Sequence, residues 1–348
     1  ILLEAQALMD IFEAEGKKGA VTPLKYLDQT VASVINVVLF GFRFDETNCH
    51  RFRKIRNLLD AQTKEFNNPI AMLFLDKPWI RDRVPYIKRR YDLFIESRDA
   101  MFEFFQSNID EHKKLIDYES EENSDFCDAY LKEMKRTEGD PDTTFFDKQL
   151  VALCLDLWIA GMETTASTMA WGLILLLHHP EVLAEMHEEF DRVIGEDRLI
   201  TISDRGKLPY TNAVICNLIR KVGRDVTVKG HLIKAGTAIC PQISLLLHDP
   251  EVFPEPSKFD PKRFLDKNGN VTQHKQFLPF SVGRRQCLGE GLARMELFLF
   301  FANIAHRFNI TPVENEMPTL KKAFTSATKP HAFVCNLDKR NIKVRYHI

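Results

Sequence analysis

The chain has 348 residues, of which 45% are hydrophobic and 28% charged, with a formal net charge of -2 at pH 7. This apolar content suffices for a sizeable core in one or two domains, whereas the balanced charge without a long basic stripe gives no support for nucleic-acid binding. The seven cysteines form an odd, scattered set without a CxxC pair, and the eleven histidines show no HExxH spacing. The sequence therefore argues against a disulfide scaffold and a zinc site.

The first part of the sequence predicts helices separated by short loops. The first helix is already under way at Ile1, so we expect the chain to lack its true beginning. No signal peptide is evident, and no apolar run reaches the roughly 18 residues of a membrane span. Residues 70–80 form a short apolar loop, and residues 117–125 form an acidic, solvated one. In chain order, helices are predicted at 1–16, from Pro23, at 50–66 and at 86–114.

The segment 150–177 is apolar almost all round, which predicts a helix through the middle of the protein, preceded by a capping box, TFFD, at 144–147. Its centre nevertheless carries AGMETT, residues 160–165. The glycine weakens the helix by about 1 kcal/mol relative to alanine, and the Thr164 hydroxyl can compete for the carbonyl one turn earlier. The residues alone allow two interpretations: a buried threonine beside Glu163 paired with a cation, or polar groups that serve chemistry.

The remaining sequence mixes helices with short strands. Residues 181–220 look helical around a loop at 195–206, whereas residues 224–237 alternate like strands between glycines. Residues 308–348 alternate enough to suggest terminal strands, and we find no internal repeat. The sequence therefore predicts a mainly α protein with small β-sheets, an α+β fold.

A cysteine-containing loop leads into a strongly apolar helix within residues 276–301. Cys287 precedes this helix, near the unpaired backbone N–H groups and the positive end of the helix dipole, which favour a thiolate. A lone cysteine is usually a small buried hydrophobe, but here glycines that allow a sharp loop and an arginine that suits a carboxylate stand at fixed offsets. These flanking residues are Phe280, Gly283, Arg285 and Gly289.

The run FSVGRRQCLG resembles the haem-binding loop of the cytochrome P-450 family of haem-thiolate monooxygenases. The family pattern FxxGxRxCxG is matched at all of its fixed positions, from Phe280 to Gly289. The resemblance implies that Cys287 is the axial thiolate on the iron of haem b, and that Arg285 meets a haem propionate. It also implies that Phe280 packs beside the sulfur. In this family the thiolate pushes electron density towards oxygen and favours O–O cleavage.

The helix motif AGMETT matches a second pattern of the same family, (A/G)Gx(D/E)T(T/S), which crosses the distal face of the haem. By this resemblance Ala160 and Gly161 lie beside the cofactor, Thr164 holds the oxygen and relays protons, and Glu163 supplies them. Oxygen cleavage needs protons in a site that otherwise excludes solvent. With both motifs in one chain, the chemical interpretation of AGMETT is favoured over the structural one.

The sequence also departs from the family. Asn217 stands at the glutamate position of the ExxR motif, which continues to Arg220, while Arg263 matches the third partner of that motif. A longer segment follows this point in the family, so we expect an internal deletion here. By the same resemblance, we expect the chain to lack the amino-terminal anchor, the first sheet and a helix that contacts the propionates. The resemblance thus covers a single catalytic domain, 1–348, of the microsomal type, incomplete at its N-terminus.

The resemblance implies a monooxygenase that inserts one atom of O2 into a small apolar substrate, such as a xenobiotic. Electrons would come from an NADPH-cytochrome reductase, at the cytoplasmic face of the endoplasmic reticulum membrane. In the family, the segment at this position covers the substrate cavity and can enter a membrane. Ordinary packing of residues 70–80 in the protein core is an equally open interpretation. Two alternatives remain: a truncated relative that binds haem poorly or without turnover, and a helical interaction protein without a cofactor.

Overall fold

The structure is a computed structural model that describes residues 1–68, 78–195, 197–221, 246–272, 274–314, 316–323 and 329–342. The described part is mainly helical and contains a small antiparallel sheet. This architecture confirms the predicted fold class. The strands predicted at 224–237 and most of the apolar loop at 70–80 lie outside the described residues.

Among the described residues, the helices follow the predicted order with two additions, Pro78–Arg83, which begins inside the loop predicted at 70–80, and Phe126–Arg136. Most begin and end within a few residues of the expected positions. In chain order they are α1 (Leu2–Gly16), α2 (Pro23–Phe40), α3 (Cys49–Phe66), α4 (Pro78–Arg83), α5 (Pro85–Leu115), α6 (Phe126–Arg136), α7 (Asp147–His178), α8 (Pro180–Val193), α9 (Pro209–Lys221) and α10 (Glu290–Arg307). Short 3-10 helices cover Ile202–Lys207, Pro261–Phe264 and Gly283–Arg285.

Helix α6 was not expected from the sequence, although its start carries a local signal. The Asp125 carboxylate accepts a hydrogen bond from the Asp128 backbone N–H at 2.9 Å, which caps the helix. His112 at the end of α5 lies 2.8 Å from the same carboxylate. An N-cap aspartate satisfies one of the four unpaired N–H groups at a helix start, so the pair Ser124 and Asp125 marks the boundary.

The sheet consists of β1 (Phe308–Pro312) and β2 (Cys335–Lys339), which run antiparallel with Phe308 opposite Lys339. An isolated bridge joins Val21 to Cys335 beside this pair. These strands confirm the terminal strands predicted within 308–348.

The chain divides into two compact units by its internal contacts. The first comprises Ile1–Leu27, Thr165–Lys321 and Pro330–Ile348, and the second comprises Asp28–Thr164 and Lys322–Lys329. The boundary falls within α7. A single catalytic domain over 1–348 stays a prediction.

The core of the first unit is built around α10. Phe298 and Phe301 are each 1% exposed, and α10 packs against α1, α8 and α9. A Cβ atom at Gly172 on α7 would lie 2.5 Å from a ring carbon of Phe301, so glycine permits this close approach. The apolar helix after the cysteine loop is therefore the centre of its unit.

Aromatic rings dominate the core of the second unit. Phe105 on α5 stacks on Phe40 at 6.1 Å between ring centroids and meets Trp158 of α7 edge-on at 6.2 Å. Both geometries are favourable for aromatic pairs. They fix the first half of α7 within this unit.

Helix α7 is long and apolar enough to cross a membrane, judged by length and composition. The prediction that no apolar segment reaches the length of a membrane span therefore does not hold for this helix. Within its most apolar stretch, 56% of the residues are buried inside the structure. A buried core helix of a soluble protein passes the same test, so this observation is weak support for a membrane span.

Candidate active site

The cysteine loop makes a sharp turn through the left-handed region of backbone space. Ser281 and Gly283 have φ angles of 65° and 76°, which suit glycine best. The Cys287 N–H donates to the Phe280 carbonyl at 2.9 Å, which closes the loop and brings these two residues together. Gly289 is the N-cap of α10, so Cys287 lies two residues before the N-cap.

The side chains of this loop point away from the core. Cys287 is exposed and has a free thiol. Arg285 is exposed and forms no ion pair with any residue that the structure describes. A Cβ atom at Gly283 or Gly289 would meet no atom within 4 Å. An accessible thiol, an unpaired guanidinium and open glycine backbone fit a flat ring system that carries a metal and carboxylates.

Phe280 is held from the side of α10. The Arg294 guanidinium lies 4.9 Å from the centre of the Phe280 ring. Its Nε donates to Glu290 Oε1 at 2.8 Å, one turn earlier on the helix. A cation over an aromatic face is attracted by the ring quadrupole. This contact fixes the ring at the start of the cysteine loop.

The middle of α7 contains the hydrogen bond that the sequence predicts for Thr164. Thr164 Oγ1 donates to the Ala160 carbonyl at 2.7 Å, which confirms the expected competition for that carbonyl. Ala160 and Thr164 are exposed, as is Asp156 one turn earlier, so one face of this helix is accessible. Gly161 faces α2, where an added Cβ would lie 2.4 Å from Ile35 Cδ1. Close packing of two helices thus requires this glycine.

Glu163 lies in a cluster of buried charges within the second unit. It is 8% exposed, contacts Lys329 Nζ, and lies 3.6 Å from a terminal nitrogen of Arg56. Arg56 also reaches Asp28 Oδ2 at 3.0 Å. Burial raises the pKa of Asp28, and the two cations act against that rise. The structure therefore shows the paired carboxylate of the structural interpretation.

The ExxR-like motif is only partly described. Asn217 on α9 is fully buried, and Arg220 follows the last described side chain of this helix, Leu218. Arg263 is held by backbone carbonyls: it donates to Pro254 at 2.7 Å and to Asp260 at 3.1 Å, with Glu255 and Lys258 also accepting. These contacts fix Arg263 without a carboxylate partner among the residues that the structure describes.

Glu296 is a buried acid that the sequence interpretation missed. It is 1% exposed on α10, and its Oε1 has no hydrogen-bond partner among the described residues. Burial raises the pKa of Glu296 to about 8. A single glutamate inside the apolar run MELFLFF was the available signal, because such a helix position has no water to solvate a charge.

Comparison with known sequences decides the family. The cytochrome P450 family model matches residues 1–335. The chain belongs to the cytochrome P450 family. It is 33% identical to cytochrome P450 2A11 of Oryctolagus cuniculus, covering 94% of this chain and 69% of that protein. For cytochrome P450 2D4 of Rattus norvegicus the identity is 34%, with 95% and 67% covered, and for cytochrome P450 2A13 of Homo sapiens it is 35%, with 88% and 63% covered.

This P450 chain spans about two thirds of the length of the curated relatives that it matches. Membership confirms the predicted family, the enzyme class of haem-thiolate monooxygenases and haem b as the cofactor. The relatives are microsomal P450s, which supports association with the endoplasmic reticulum membrane. The roles of individual residues stay predictions.

Proposed function

We propose that this chain inserts one oxygen atom of O2 into a small apolar substrate, with electrons from an NADPH-cytochrome reductase at the cytoplasmic face of the endoplasmic reticulum. The accessible Cys287 thiol on a loop with open glycine backbone and an unpaired arginine carries this proposal. Members of the family share a redox partner, O2 and an organic substrate. The apolar substrate and the specific reductase extend that general scheme.

The ligand loop would hold the cofactor. Cys287 would supply the thiolate that binds the haem iron, Arg285 would pair with a haem carboxylate, and the backbone at Gly283 and Gly289 would leave room for the ring. When bound, the thiolate-ligated haem would supply the chemistry that activates dioxygen. Phe280 would pack beside the sulfur, and the Arg294 guanidinium lies 4.9 Å from the centre of its ring.

The accessible face of α7 at Thr164 would deliver protons. The Thr164 hydroxyl donates to the Ala160 carbonyl, and a hydroxyl oxygen can both donate and accept hydrogen bonds. Thr164 thereby holds a proton at Oγ1 on the accessible face of the helix. Glu163 is the carboxylate that would renew this proton, and Arg56 and Lys329 hold it in place. A positioned proton donor typically contributes about 10² to 10⁴ in rate.

The test is spectroscopic. We expect the haem-loaded, reduced chain to give the red-shifted Soret band of a thiolate ligand when carbon monoxide is added, and Cys287→Ala to lose it completely. Cys49→Ala, which changes another partly accessible thiol, should keep the band. A histidine-like or free-haem spectrum in the wild type would refute the ligand assignment.

Turnover separates the proposal from its alternative. With a reductase and NADPH, an active chain forms product from an apolar substrate. A thiolate band without any product would favour a haem-binding chain that lacks turnover. The absence of haem binding would favour an interaction protein without a cofactor.

A further inference from the structure

A cavity of about 1080 Å³ opens between four segments of the first unit. Its walls come from the 3-10 helix Ile202–Lys207, from α9, from the first two turns of α10, and from residues 270–272 and 274–278. The described residues that line it include no member of the AGMETT motif or of the cysteine loop between Phe280 and Gly289. Its volume is close to the upper limit of small-molecule sites, about 1,000 Å³.

Arg205 lines this cavity in a fixed position and without a counter-charge. Its Nε donates to Asn212 Oδ1 at 3.2 Å, and the Asn212 amide donates back to the Arg205 carbonyl at 2.7 Å. The guanidinium carbon lies 5.8 Å from the centre of the Phe298 ring. Arg205 forms no ion pair with any residue that the structure describes. Its two terminal nitrogens can therefore meet a carboxylate as a fork.

The other charged groups leave the cavity positive. Arg294 Nε pairs with Glu290 Oε1 at 2.8 Å, so these two charges compensate each other. Lys275 is exposed beside the cavity and, like Arg205, has no carboxylate partner within the described ranges. Burial raises the pKa of the Cys216 thiol, and the guanidinium groups of Arg294 and Arg205 act against that rise. Two uncompensated cations favour a negatively charged ligand.

The same cavity has an apolar wall. The Phe277 ring lies 5.0 Å from the Phe264 ring between centroids. Phe277 and Cys216 both pack against a buried apolar cluster that includes Phe264, and Leu278 and Pro209 also line the cavity. A cationic fork beside an apolar wall suits an anionic group that is carried on an apolar body.

We propose that this cavity binds a small organic carboxylate, whose charged group pairs with Arg205 and Lys275 and whose apolar body packs on Phe277 and Cys216. The guanidinium fork matches the two carboxylate oxygens through parallel hydrogen bonds. The site is a recess, so it fits a small molecule rather than the face of a protein partner. Binding here does not require the proposed monooxygenase function.

Octanoate is the probe for this site. Equilibrium dialysis of labelled octanoate against the haem-loaded chain measures the affinity, and alkylation of Cys216 by iodoacetamide locates the bound molecule. We expect octanoate to slow the alkylation of Cys216, while Cys49, a partly accessible thiol outside the cavity, keeps its rate. Octanamide has the same apolar body without the charge, and inorganic phosphate has charge without the body. Both should bind about ten-fold more weakly or worse.

Three variants test the cations. Arg205→Met should weaken octanoate binding about ten-fold, the effect of one lost charge-assisted hydrogen bond, and Lys275→Met, at an exposed position, about three-fold. Lys207→Met removes an exposed cation of the same 3-10 helix that does not line the cavity, so it should bind octanoate like the wild type.

The proposal is overturned if the wild type does not bind octanoate, or if Arg205→Met and Lys275→Met both bind it unchanged. The second result would place the probe elsewhere, for example over the haem. Equal affinity for octanamide would refute the role of the cations, and equal affinity for phosphate would refute that of the apolar wall. Failure of the proposed function would appear separately, as absence of the thiolate Soret band.

Discussion

The cysteine loop and the middle of α7 hold their functional residues in opposite ways. In the loop, Cys287 and Arg285 are exposed and the fixing contacts are local, such as the bond from Cys287 N–H to the Phe280 carbonyl. In α7, Glu163 is buried and held by cations from distant parts of the chain. The cysteine loop therefore positions its side chains through backbone shape, whereas the buried carboxylate of α7 depends on cations from distant parts of the chain.

The largest expected difference concerns two arginines. Arg56→Met removes a cation from the buried cluster and leaves Asp28 and Glu163 with less compensation, so we expect unfolding free energy to fall by about 3 kcal/mol. Arg285→Met changes an exposed side chain and should alter it by less than about 0.5 kcal/mol. Denaturant unfolding of both variants measures the contrast. Equal losses would mean that the loop is as dependent on side-chain charge as α7.

Alanine substitutions at two glycines should change the free energy of unfolding in opposite directions. Gly161→Ala places a Cβ 2.4 Å from Ile35 Cδ1, so overpacking should outweigh the gain in helix propensity and cost about 1 to 2 kcal/mol. Gly291→Ala on α10 meets no atom within 4 Å, and should stabilise by up to about 1 kcal/mol. Thermal or denaturant unfolding distinguishes them. Stabilisation by both substitutions would show that the Ile35 side chain on α2 moves aside at little cost for an added methyl group at position 161.

A small effect on stability, but a clear one on product formation, is expected at Thr164. Thr164→Ala removes a hydroxyl on an exposed face, so the unfolding free energy should change by less than about 1 kcal/mol. NADPH use should continue while less product forms, and Thr164→Ser should restore the ratio. Unchanged coupling in the alanine variant would argue against a proton relay at this position.

The turn of the cysteine loop could be predicted from the sequence because its pattern is contiguous. Five fixed positions within ten residues, from Phe280 to Gly289, encode both the turn and the thiol. The hydrogen bond of Thr164 was equally predictable, since its acceptor lies one turn away on the same helix. Local geometry of this kind follows from residue type and spacing alone.

Longer-range features could not be read in this way. Lys329 meets Glu163 from 166 residues further along the chain, and no spacing rule connects the two. The capping box predicted at 144–147 would place the start of α7 directly after Thr144, but the helix begins at Asp147. The ends of helices depend on tertiary contacts as well as on side-chain caps. The buried carboxyl of Glu296 was missed because an isolated acid in an apolar run does not identify its neighbour.

Arg263 is held by backbone carbonyls of its own loop. All four of its carbonyl acceptors lie within nine residues of it along the chain. Closing so short a loop costs little chain entropy, and contacts of low sequence separation form quickly. This turn can therefore become ordered early in folding, before α9 arrives.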